Sequence, residues 1–180
     1  NGQSWNGKGN TRTRLYENGG KADFTDVTER AGLDINVYGM GANVADYDAD
    51  GDLDIFVTAL GPNVLLRNDA GRFVDVAKQA GVLGERWLDD QGRSNDEWST
   101  SALWFDVDGD GWLDLLVTNY IRWSIETDIY TSLDGNNKSY ATPQQYPGST
   151  PRLYRNQGDG TFVEITKEAG LLLPDGKSMG

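Results

Sequence analysis

Two nine-residue stretches concentrate carboxylates at a spacing suited to holding a cation. Asp46-Tyr47-Asp48-Ala49-Asp50-Gly51-Asp52-Leu53-Asp54 packs five carboxylates together, and Asp106-Val107-Asp108-Gly109-Asp110-Gly111-Trp112-Leu113-Asp114 repeats the pattern. Both place Asp at positions 1, 3, 5 and 9 and Gly at position 6. Carboxylates this crowded repel one another, and a divalent cation resolves the conflict. The spacing predicts that the side chains at positions 1, 3 and 5 turn inward. The backbone carbonyl of position 7 adds an oxygen, position 9 closes the shell, and Gly allows the sharp turn. All-oxygen ligation without His or Cys points to Ca²⁺ rather than zinc or copper. Position 12 is Val57 in one stretch and Val117 in the other. An EF-hand needs Glu there and helices on both sides, so that sensor motif is excluded.

The elements that must position these loops read as strands. Gly41–Ala45 enters the first loop and Leu53–Leu60 leaves it; Ser99–Phe105 enters the second and Leu113–Tyr120 leaves it, all rich in β-branched and aromatic residues. A second pattern recurs three times: an apolar pair, an Asn/Gly turn, an alternating run from Phe, and a closing Ala-Gly. Its copies run from Leu15 to Leu33, from Leu65 to Val82 and from Leu153 to Leu171. Each copy predicts a β-hairpin ending in a single helical turn, with the Asn and Gly of its turn, including Asn18, Asn68 and Asn156, supplying positive φ. Strand, Asp loop, strand, turn, strand, turn, strand makes one four-stranded propeller blade. The expected organisation is an N-terminal arm (1–13), a half blade (14–33), a blade (39–82) and a second blade (98–171) interrupted by an inserted loop (121–150). The arm's Trp5 hints at docking, and Ser178-Met179-Gly180 echoes Gly39-Met40-Gly41, the start of a blade.

Composition narrows the function. The net charge of −12 with no basic patch argues against nucleic acid and against an anionic membrane surface. Two bound Ca²⁺ would reduce that charge to about −8. Without Cys or His there are no disulfides, thiol chemistry, zinc sites or Ser-His pairs. No apolar run approaches the length of a membrane span. The chain begins at Asn1, as a processed protein or a segment of a longer one would.

The motifs RLYRNQGDGTFVEITKEAGL, GANVADYDADGDLDIFVTALGPN and WSTSALWFDVDGDGWLDLLVTNY resemble the FG-GAP/VCBS repeat family. Within it they look like the branch of bacterial extracellular proteins related to cartilage acidic protein and UnbV. The resemblance covers 14–180 and implies an all-β, β-propeller-type fold, secreted or on the cell surface. It implies Ca²⁺ held by Asp46, Asp48, Asp50 and Asp54 with the carbonyl of Asp52. In the second loop it implies Asp106, Asp108, Asp110 and Asp114 with the carbonyl of Trp112. Two and a half blades cannot close a ring, so either the chain is a segment or neighbours fill the open ends.

Other residues carry further expectations. Trp98 and Trp104 are expected to pack, Trp112 to be exposed, and Trp87 and Trp123 stay open between packing and glycan stacking. Asn137-Lys138-Ser139 is the one N-x-Ser/Thr sequon, placed where a glycan would fit. No carboxylate pair outside the two loops is marked for catalysis. The expected function is therefore a non-enzymatic, Ca²⁺-stabilised extracellular structural or adhesion module that self-assembles, as a filament or surface-layer subunit. The alternatives are a segment of a closed propeller binding a protein or glycan, and an accessory part of a polysaccharide-active enzyme.

Overall fold

The computed structural model describes residues 13–33, 35–173 and 175–178. The expected N-terminal arm lies outside them except for Thr13, as do Met179 and Gly180 of the expected blade-start echo. A hairpin of β1 (Tyr16–Gly20) and β2 (Asp23–Asp26) leads into a meander of β3 (Gly39–Ala45), β4 (Asp54–Ala59), β5 (Val64–Asp69) and β6 (Arg72–Asp75). The single turn α1 (Ala77–Ala80) follows, then a small hairpin of β7 (Arg86–Leu88) and β8 (Ser94–Asp96). A second antiparallel meander comprises β9 (Ser99–Phe105), β10 (Asp114–Asn119), β11 (Arg152–Asn156) and β12 (Phe162–Glu164). Two four-stranded antiparallel sheets of this kind make the fold all-β and propeller-like.

The alternation of side chains explains how the layers stack. On β4 and β5, Phe56 and Leu65 point one way while Val57, Val64 and Leu66 point the other, and all five are buried. Each face therefore needs a partner. Val57, Val64 and Leu66 pack on Ala31 and Leu33 of the half blade, with Ile35, Val37 and Phe73 around them. Phe56 and Leu65 pack on Leu115, Val117, Tyr154 and Phe162 of the second sheet. Tyr47 and Trp104 bridge the two sheets, their rings stacked at 6.1 Å, and both touch Phe162. Aromatic pairs of this geometry add about 0.5–1.5 kcal/mol each beyond the area they bury. The sheets meet along β3 and β9, where Gly41 is required: a Cβ there would lie 2.9 Å from the carbonyl oxygen of Thr100.

Trp104 thus packs in the inter-sheet core. Trp98 packs edge-on against Tyr120 and Trp123, so Trp123 makes a ring contact as well. Trp87 donates its indole N–H to the carbonyl of Asp96 across the β7–β8 hairpin. That hairpin fills a stretch whose strands are too short to read from sequence. Its turn signal, Asp89-Asp90-Gln91-Gly92, is present: Asp89 Oδ1 accepts from the backbone of Gln91 and Arg93, and Gly92 takes φ +74.

In a meander, loops after odd and even strands fall at opposite ends. Both Asp loops and both hairpin turns (β5–β6, β11–β12) therefore share one end of the sheets. The 121–150 segment, between β10 and β11, lies at the other end beside the β7–β8 hairpin. It is held by an Ile121–Gly148 bridge, a Thr131–Ser139 bridge and a 3₁₀ turn at Pro143–Gln145.

Candidate metal centres

Each Asp loop is a turn wrapped around its own first carboxylate. Asp46 accepts from the backbone N–H of Asp50 and Gly51, both at 3.1 Å. Asp106 accepts from Gly109, Asp110 and Gly111 at 2.7–3.2 Å. To bring those amides round, positions 4 and 6 adopt left-handed φ: Ala49 at +57 and Gly51 at +97, Gly109 at +77 and Gly111 at +93. Asp50 and Asp110 each accept from the N–H two residues on, at 2.8 Å, which fixes position 7.

Position 9 ties the loop to the rest of the blade. Asp54 is buried and accepts from the N–H of Tyr47 at 3.2 Å and of Asn68 at 2.8 Å. Asp114 does the same with Val107 and Asn156, both at 2.8 Å. Asn68 and Asn156 return the link by donating to the carbonyls of Leu53 and Leu113, and their own oxygens accept from Gly71 and Gly158. This corrects the expectation that the hairpin Asn residues supply positive φ. Among the described residues Gly20, Lys21 and Ala22 do so in the first hairpin, Ala70 and Gly71 in the second, and Gly158 and Gly160 in the third. Asn68 and Asn156 act through their amides, as bolts between hairpin and Asp loop.

Position 7 makes a second bolt. Asp52 accepts from the N–H of Ala70 in the hairpin turn. Trp112 instead lays its ring on the equivalent turn, where a Cβ added at Gly158 would lie 2.9 Å from the indole. The expectation that Trp112 is exposed is corrected accordingly: it is half-buried, and Gly158 is the residue that makes room.

The carboxylates converge. Oxygens of Asp46, Asp48 and Asp50 lie within 4.8 Å of one another, and so do those of Asp106, Asp108 and Asp114. Asp54 stands outside the first triad and Asp110 outside the second. In the first loop the convergence is electrostatically unfavourable. Burial raises the Asp48 pKa, Asp50 and Asp46 raise it further, and its Oδ1 is buried with no hydrogen-bond partner among the described residues. Burial likewise pushes Asp54 up to about 6, against the two backbone N–H groups that favour its charged form. In the second loop the N–H of Gly111, then those of Gly109 and Asp110, hold Asp106 below its ordinary value. A buried carboxylate oxygen with no donor, beside two more carboxylates, is what a hard cation would satisfy. The donor set is all oxygen, so both clusters could bind a divalent metal ion of the Ca²⁺ class.

Asn137 is exposed, and its amide nitrogen donates to Asp134 at 2.7 Å. The family model described as FG-GAP-like repeat matches residues 4–57 and, overlapping it, residues 46–117. Each match takes in at least part of an Asp loop. No curated protein matches the chain.

Proposed function

Because the chain belongs to the FG-GAP-like repeat family, we propose that it is a non-enzymatic, Ca²⁺-stabilised extracellular interaction module whose copies associate head to tail. Within the family we place it in the branch resembling cartilage acidic protein and UnbV, on the motifs around Asp46, Asp106 and Arg152. Asp46, Asp48, Asp50 and Asp54 would hold one ion, and Asp106, Asp108, Asp110 and Asp114 the other, with the carbonyls of Asp52 and Trp112. The ion's contribution is to neutralise the carboxylates and so to lock the loop that carries both bolts to the hairpin. Open, all-oxygen loops suit the Ca²⁺ levels found outside cells.

Self-association is carried by one repeated contact. Gly32, Gly81 and Gly170 close the same tight turn in the three hairpin units, at φ +75, +79 and +72. The absent Cβ of Gly32 would lie 3.4 Å from the carbonyl oxygen of Phe73, and that of Gly81 would lie 3.3 Å from Phe162 O. Phe73 N–H also donates to Ala31 at 2.9 Å. Each unit thus presents an Ala-Gly turn to the Phe strand of the next, and Ala31 and Ala80 are buried by it. The series is unfilled at both ends among the described residues. Gly170 has nothing within 4 Å and Ala169 is exposed, while Phe24 is 58% exposed beside Tyr16 at 52%. The two free faces are complementary, not identical, so a second copy docks heterologously and the contact propagates.

Light scattering and electron microscopy over a concentration series, in Ca²⁺ and in chelator, test this. Open-ended rods that form in Ca²⁺ and disperse in chelator are expected. A chain that stays monomeric in Ca²⁺ at high concentration overturns the assembly reading.

A further inference from the structure

The end of the sheets opposite the Asp loops holds a cavity of about 490 Å³, within the range of small-ligand sites. Its walls are aromatic. Trp98 meets Tyr120 at 5.4 Å and 90°, and Trp123 at 5.8 Å and 63°. Tyr146 and Tyr140 line it from the inserted segment. Two of the rings are held in place: Trp123 Nε1 donates to Asp128 at 3.0 Å and the Tyr146 hydroxyl donates to the same oxygen at 2.8 Å. The indole N–H of Trp98 is buried and has no hydrogen-bond partner among the described residues, although buried Trp N–H groups ordinarily find one. Tyr140 is 99% exposed, a ring that nothing among the described residues covers.

Charge decides which ligand such a pocket takes. Lys138 donates to the second oxygen of Asp128, and both residues line the cavity. The pair cancels. An organic cation would find aromatic faces but also an ammonium, and an anion would find the carboxylate. A neutral polyol ring meets neither obstacle. Its C–H face lies on the electron-rich face of an aromatic ring, and its hydroxyls reach a carboxylate acceptor and an ammonium donor standing side by side, with the Ser139 hydroxyl next to them. We infer that the 121–150 insertion and the strand ends beneath it form a binding site for a neutral pyranose sugar. The site is independent of the Asp loops and of head-to-tail assembly, and it gives the module a glycan-recognition activity.

The test is saturation-transfer NMR on the full chain with a panel of methyl pyranosides of gluco, galacto, manno and 2-acetamido-2-deoxy configuration, and with choline chloride as the cation probe. At least one pyranoside is expected to receive saturation on the ring protons of one face. Tyr140→Ala, a change at an exposed ring, weakens that binding about tenfold, the loss of one stacking contact, while Tyr140→Phe leaves it unchanged. Three results overturn the inference: no transfer to any pyranoside, displacement of the bound sugar by choline, or binding indifferent to Tyr140→Ala.

Discussion

Asp48 holds one buried oxygen with no donor among the described residues, and Asp50 and Asp46 beside it add to the burial that disfavours its ionised form, which a bound cation would relieve. Replacing it by Asn removes that charge while keeping the shape. In chelator, Asp48→Asn is therefore expected to melt at the wild-type temperature or above it. In excess Ca²⁺ it is expected to lose most of the stabilisation one site gives, about 2.7 kcal/mol at a hundredfold excess over Kd. Differential scanning calorimetry in the two conditions reads both, and equal losses in both would mean that Asp48 is not a ligand. The residues of the loop were legible because carboxylates at alternate positions around a Gly have few other uses. Which oxygen is left without a donor was not, since that depends on what the folded chain packs over it.

At the scale of elements, the joint between the small hairpin and the second sheet rests on Glu97. Its buried carboxylate accepts from Arg152 Nη2 at 2.6 Å, Ser149 at 3.3 Å, Asn119 Nδ2 at 3.2 Å and the N–H of Glu85 at 3.2 Å. It joins the base of β7–β8, the end of β10, the return of the inserted segment and β11. Glu97→Ala leaves a guanidinium and several donors without their acceptor and is expected to cost about 3–5 kcal/mol in denaturant unfolding. Nothing local marks Glu97 in the sequence, where it is one charge in an unassigned gap. The inserted segment has its own electrostatic latch. Burial raises Asp128, but donors from Lys138, Trp123 and Tyr146 outweigh it and hold the carboxyl below its ordinary 3.8. A depressed pKa means the latch is intact above 3.8 and is lost as pH falls through the lower folded value. The Trp123 indole N–H resonance should accordingly hold steady down to that value and shift only below it. A shift at higher pH would contradict the latch.

Among the described residues, the two places where an Ala-Gly turn meets the next repeat unit have the same polarity: Ala-Gly turn to Phe strand. If copies join by the same contact, each has one donor face and one acceptor face. Phe24→Asp should block one face and Ala169→Arg the other, so each variant alone is unable to extend. Mixed, they are expected to form dimers and nothing larger, because one intact face of each kind remains. Sedimentation of the two variants apart and together reads this directly. Rods from either variant alone would show that a different surface makes the contact.

Features set by neighbours along the chain could be read from the order of residues alone. The Asp loops, the alternating strands, the Phe-to-Ala-Gly hairpins and the position of the insertion follow from turn residues and a period of two, all within about ten residues of one another. The tertiary structure alone decided which faces are covered. Asn156 donates to Tyr47 across 109 residues. Trp112 finds its cover in Gly158, and the aromatic pocket joins Trp98 and Tyr120 at the ends of strands to Tyr140 and Tyr146 in the insertion. Burial and partnership are set by surfaces brought together from distant parts of the chain. The two loops that began as isolated carboxylate clusters are, in the fold, the joints through which each blade grips its own hairpin.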